Sequence, residues 1–72
     1  IMETPEWGTL VEAISDDSEE PGMIGVYATG ERSECFGGIR VCRYKDPISG
    51  ELYDYLGVAA KWRYPGETEW RT

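Results

Sequence analysis

Apolar and polar residues alternate along most of this chain, with a helix-like spacing only near its start. After Gly22, Ile24, Val26 and Ala28 face one way and Met23 and Tyr27 the other, the signature of a half-buried strand. Thr29 to Glu34 supplies a polar turn. The next strand runs from about Cys35 to Lys45, with Gly37-Gly38 as a bulge or bend. Asp46-Pro47-Ile48-Ser49-Gly50 is a turn in which Pro presets φ and Gly permits a positive one. The run from Leu52 to Tyr64 is too long for one flat strand and is expected to bend at Gly57.

The N-terminal stretch reads two ways. Thr4-Pro5-Glu6-Trp7 resembles a helix start, with Thr as cap, Pro at the first position and Glu at the positive end of the dipole. Trp7, Leu10, Val11 and Ile14 then share one helical face, although Gly8 costs about 1 kcal/mol there. Read as a strand, the same residues put Trp7, Thr9, Val11 and Ala13 on one side and Leu10, Glu12 and Ile14 on the other. The helix keeps the large apolar groups together and is the preferred reading.

Register follows from the turns. A loop over 47–50 sets Asp46 opposite Glu51, Tyr44 opposite Tyr53, Cys42 opposite Tyr55, Val41 opposite Leu56 and Ile39 opposite Val58. Arg43 then meets Asp54, a cross-strand charge pair that contributes about 0.2–1 kcal/mol. Pairing Ala28 with Cys35 brings Ile24 opposite Ile39 and predicts an apolar row Ile24–Ile39–Val58. One sheet face is thus aliphatic. The other is aromatic and basic: Tyr27, Phe36, Arg40, Tyr44, Tyr53 and Tyr55, with Lys61 and Arg63 further along.

The expected fold is α+β, one domain over 1–72 with an N-terminal helix packed on a small antiparallel β-meander and residues 65–72 as a C-terminal tail. A small all-β SH3-like barrel is the alternative should residues 7–14 be a strand. At 72 residues, with only twelve Val, Ile and Leu among the apolar positions, the aliphatic core is thin. Three Trp, five Tyr and one Phe must supply much of the buried area. A core this small contributes no more than about 3–5 kcal/mol, so dimerisation would help.

Charge is uneven. Residues 1–36 hold nine acids against Arg32 alone, a net of −8, and residues 37–72 hold five acids against six bases, a net of +1. The acidic half keeps the chain soluble or engages a basic partner surface. It opposes wrapping a phosphate backbone, which needs clustered Lys and Arg. The acidic loop Ser15 to Gly22 lacks the ligand spacing of an EF-hand and is read as a solvated connection. Nothing approaches the ~20 apolar residues of a membrane span, and no signal-peptide pattern is visible.

Cys35 and Cys42 on one extended strand would stand ~23 Å apart, where a bridge needs about 7 Å, so they could pair only if Gly37-Gly38 folds the chain back. Free thiols and a cytoplasmic location are expected. With no histidine, Ser-His-Asp and Cys-His chemistry and a Cys/His zinc site within one chain are excluded. There is no phosphate-binding loop or dinucleotide fingerprint. The expectation is a binding module rather than an enzyme, with no cofactor or metal. The main reading is a protein-interaction module, an acidic inhibitor or regulator of another protein or a homodimer. The alternative is a single-stranded nucleic-acid-binding module using the aromatic and basic face. In either case Tyr27, Arg40, Tyr44, Tyr53, Tyr55, Lys61 and Arg63 form the site.

Overall fold

The structure, a computed structural model, describes residues 3–14, 23–35 and 37–72, and for Met23 and Ile24 the backbone alone. It contains five strands: β1 (Leu10–Ile14), β2 (Met23–Arg32), β3 (Ile39–Lys45), β4 (Leu52–Ala59) and β5 (Lys61–Arg63). They form one antiparallel sheet of order β4-β3-β2-β1-β5. Among the described residues there is no helix, which overturns the α+β arrangement.

The reason lies at Gly8 and in β1. Trp7-Gly8 is a turn, and Gly8 takes φ +80°, outside the right-handed helical region. The Gly8 N–H donates to the Ala28 carbonyl at 2.7 Å, and the Ala28 N–H donates to the Thr9 carbonyl at 2.9 Å. The chain is therefore already tied to β2 before β1 begins. β1 then pairs with β2 on one side and β5 on the other, so its backbone polar groups are satisfied by ladders rather than by a helix. Burial alternates from Leu10 to Ala13, with Val11 and Ala13 inside and Leu10 exposed, and ends with Ile14 also buried.

The core is the inner face of this sheet. Val11, Ala13, Val26, Ala28, Ile39, Val41, Ala59 and Trp62 form one buried cluster to which every strand contributes, with Leu56 and Tyr64 packed at its margin. Trp62, wholly buried, is the largest member. β4 and β5 lie at opposite edges, which in a flat sheet would be ~19 Å apart. Yet Ala60 alone joins them, and one intervening residue spans at most ~7 Å. The sheet must coil strongly about Trp62. It does not close: β4 and β5 share no ladder, so the SH3-like barrel is not formed either.

The hairpin over 46–51 is built as its turn residues dictate. Asp46 N–H donates to the Glu51 carbonyl at 2.8 Å. The Asp46 carboxylate accepts from the backbone N–H groups of Ile48 at 2.8 Å and Ser49 at 3.2 Å. Lys45–Leu52, Tyr44–Tyr53 and Cys42–Tyr55 are opposite one another, and Arg43 pairs with Asp54 at 3.2 Å. Beyond Cys42 the ladder slips by one. Leu56 is an extra residue on β4, so Val41 faces Gly57, Arg40 faces Val58 and Ile39 faces Ala59. The expected pairs Val41–Leu56 and Ile39–Val58 are corrected by this bulge.

The earlier turn is also displaced. β2 continues to Arg32 and the reversal falls over 33–38. Ala28 faces Val41 rather than Cys35, and Ile39 faces Arg32, so the row Ile24–Ile39–Val58 does not exist. The acidic segment 15–22 and Phe36 lie outside the described residues. The final residues run back beside β5, where Trp62 and Arg71 exchange backbone hydrogen bonds of 3.0 and 2.7 Å.

Candidate functional site

Alternation about the core fixes what the outer face displays. Val26, Ala28, Val41 and Ala59 point inward, so their neighbours Tyr27, Cys42, Arg40 and Val58 point outward. Cross-strand pairing then lines up Leu10, Tyr27, Cys42 and Tyr55 as one row crossing β1, β2, β3 and β4. Beside it stands the pair Tyr44–Tyr53, with ring centroids 5.3 Å apart and planes tilted by 31°. On the other side is the pair Arg40–Val58.

Five of the seven residues singled out from the sequence thus share this face. Tyr44, Tyr53 and Tyr55 are 47, 53 and 52% exposed, while Tyr27 and Arg40 are half-buried. Arg40 Nη1 donates to the Tyr55 hydroxyl at 2.8 Å, which fixes the guanidinium and the phenol as one unit. Cys42 is the floor beneath the rings, only 6% exposed. Burial, and secondarily the charge of Asp54, push its thiol pKa up, so it stays protonated at neutral pH. Cys35 and Cys42 are both free.

Lys61 and Arg63 lie on β5, just past the Ala60 crossover from the end of β4, opposite Ile14 and Glu12. Lys61 is exposed. Arg63 is ion-paired with Glu12 at 2.7 Å and lies 4.1 Å over the Trp70 ring. Its charge is used within the fold.

The remaining cations are similarly engaged. Arg43 holds Asp54, a residue at φ 60° in the middle of β4. Lys45 donates to the Gly8 carbonyl at 3.1 Å. Arg32 donates to the carbonyls of Glu3, Gly37 and Thr72 and to the Thr4 hydroxyl, clasping both ends of the described chain. Arg71 pairs with Glu67 and Glu3 and lies over the Tyr64 ring at 5.0 Å. These contacts hold the Glu67 carboxyl down at about 2, through the Arg71 side chain first and the Tyr64 N–H second. A shallow groove of about 560 Å³ lined by Gly66 to Arg71 shares no residue with the tyrosine face.

Sequence reasoning misses Leu10 as a member of the outer row, because the helical reading of residues 7–14 places it on one face with Val11. The strand reading of the same residues, with Leu10 and Val11 on opposite sides, carries the signal. The partnership of Arg63 with Trp70 has no local signal, since it depends on how the last residues fold back. Among the described residues no group of His, Cys, Asp and Glu is arranged to hold a metal ion, and no helix is long and apolar enough to cross a membrane. In comparison with known proteins, no family model, no curated protein and no solved structure matches the chain.

Proposed function

We propose that the chain is a binding module whose outer sheet face takes single-stranded nucleic acid by stacking bases on its tyrosines. The observation that carries this reading is the array of Tyr44, Tyr53, Tyr55 and Arg40 on one side of an open sheet. Three half-exposed rings and a guanidinium held by a phenol offer planar surfaces to planar bases. Such stacking contributes about 1–3 kcal/mol per base and tolerates any base. No acid belongs to the rows formed by Leu10, Tyr27, Cys42 and Tyr55 or by Tyr44 and Tyr53, so the stacking rows themselves carry no carboxylate.

The test is a titration of end-labelled oligo-dT and oligo-rU, followed by fluorescence anisotropy at low salt. The double variant Tyr44→Ala/Tyr55→Ala should keep its circular dichroism and lose binding at least thirtyfold. A native chain that fails to bind at millimolar protein, or a folded variant that binds normally, would refute the proposal.

A protein partner is the second reading, supported by a different feature. Ile48 is 97% exposed at the hairpin tip, on a turn braced by the Asp46 carboxylate. Asp46 and Glu51 flank it. A rigid apolar knob between acids fits an apolar pocket rimmed by basic groups on another protein. Here Ile48→Asp should abolish a reproducible cross-link to that partner, while Tyr44→Ala/Tyr55→Ala leaves it.

A further inference from the structure

We infer that the tyrosine face takes the unpaired end of a strand, about two to three nucleotides, rather than the interior of a long tract. This inference rests on the single-strand reading above and adds the length taken and the need for a free end.

Charge around the face decides it. Of the seven cations in the chain, Arg43, Arg63 and Arg71 are ion-paired. Arg32 and Lys45 are held by backbone carbonyls. Two remain for phosphate. Arg40 donates to the Tyr55 hydroxyl, and neither it nor Lys61 makes an ion pair among the described residues. They lie toward the same end of β4: Arg40 faces Val58, and Lys61 follows Val58 by three residues.

The opposite end is acidic. Lys45 and Leu52 close the β3–β4 ladder, and directly beyond them Asp46 and Glu51 flank the turn. A backbone leaving past Tyr44 and Tyr53 would run into these carboxylates, with Lys45 turned to the Gly8 carbonyl. A backbone leaving past Tyr55 meets Arg40 and then Lys61. The face is therefore open to phosphate at one end and closed to it at the other. A terminal base, which carries phosphate on one side only, fits at Tyr44–Tyr53. The next base stacks at Tyr55, and the linking phosphates meet Arg40 and Lys61. Further phosphates find only the acid of a chain whose net charge is −7, and they add nothing.

The experiment uses the full chain with oligo-dT of one to twelve nucleotides and a covalently closed single-stranded dT circle of forty. Affinity should rise to three nucleotides and then stay within about twofold, and the circle should bind at least tenfold more weakly than the linear forty-mer. Each neutralised phosphate contributes about −0.7 to the salt slope on single strands, so the slope should not be steeper than about −1.4. Glu51→Lys should restore binding of the circle, and Arg40→Gln should flatten the slope while the fold persists. Affinity that keeps climbing with length, or a circle that binds as well as the linear strand, overturns end recognition and leaves the single-strand reading standing. If no oligonucleotide binds at any length, both fall.

Discussion

Gly38→Ala tests whether the corner of the sheet is as tight as the coiling requires. Gly38 is buried just before β3, and its carbonyl accepts from the Ser33 N–H at 2.8 Å. A Cβ on this residue would stand 2.8 Å from the Ala59 carbonyl carbon and the Val58 Cγ1, with the Ala59 oxygen nearer still. Carbon atoms rest at about 3.5–4.0 Å, so something must move by most of an ångström. Two of the obstacles are β4 backbone, held in the ladder by the pair Ile39–Ala59, and cannot swing away as a side chain tip could. Overpacking of this kind costs about 1–3 kcal/mol and occasionally more, against a total of about 3–5 kcal/mol for so small a core. The variant should lose about 1–3 kcal/mol and unfold at clearly lower urea than the parent.

The neighbouring Gly37→Ala is the control: it has φ +73° and open space around its would-be Cβ. It should cost only the left-handed penalty of about 1–2 kcal/mol. Urea titration followed by tryptophan fluorescence measures both, since Trp62 is wholly buried. A Gly38→Ala chain within about 0.5 kcal/mol of the parent would defeat the reasoning, as would one milder than Gly37→Ala.

Other outcomes follow from the same contacts. Glu67 has a folded pKa of about 2 against an ordinary 4.5, so its stabilising effect is complete above about pH 4.5 and is lost as pH falls through 2. Docking of residues 64–72, read by amide exchange, should loosen across that window, and Glu67→Gln should remove the pH dependence. The Cys42 thiol is buried with its pKa raised while Cys35 is exposed, so iodoacetamide at pH 8 should label Cys35 first, as peptide mass analysis would show; equal rates would contradict the burial of Cys42. Arg32→Ala removes the contacts joining residues 3 and 4 to 37 and 72 and should raise exchange at both ends of the chain while leaving the β3–β4 ladder protected.

The parts of the fold that were legible are those controlled by local chemistry. Asp46-Pro47-Ile48-Ser49-Gly50 specifies its own turn, and from it the pairs Tyr44–Tyr53 and Cys42–Tyr55 and the ion pair Arg43–Asp54 follow by counting. Counting fails where the backbone departs from period two. Nothing about Leu56 in isolation marks it as an inserted residue, because the bulge is fixed by how β4 must bend before it crosses at Ala60 to the far edge. The same holds at residues 7–14. The spacing of Trp7, Leu10, Val11 and Ile14 fits a helix, and only pairing with β2 and β5 decides against it. Local preference there is weak, Gly8 works against the helix, and a double ladder outweighs both.

Outward or inward direction depends on parity alone, and parity survives within each uninterrupted run of strand. Tyr53 and Tyr55 both precede the Leu56 bulge, and Arg40 and Tyr44 lie on β3, which carries no extra residue. Their common side thus follows from the sequence even though half of the expected β3–β4 ladder is misaligned. Charge is another matter. Seven cations can be counted along the chain, but not which of them are consumed, since Arg63 with Glu12 and Trp70, or Arg71 with Glu67 and Glu3, meet only after the chain has folded back. Counted in sequence, residues 37–72 are nearly balanced, and the tyrosine face reads as broadly basic. With the internal pairs removed, its basic character reduces to Arg40 at one end, with Lys61 beyond it, facing Asp46 and Glu51 at the other. That asymmetry, rather than the number of aromatic rings, gives the face a direction.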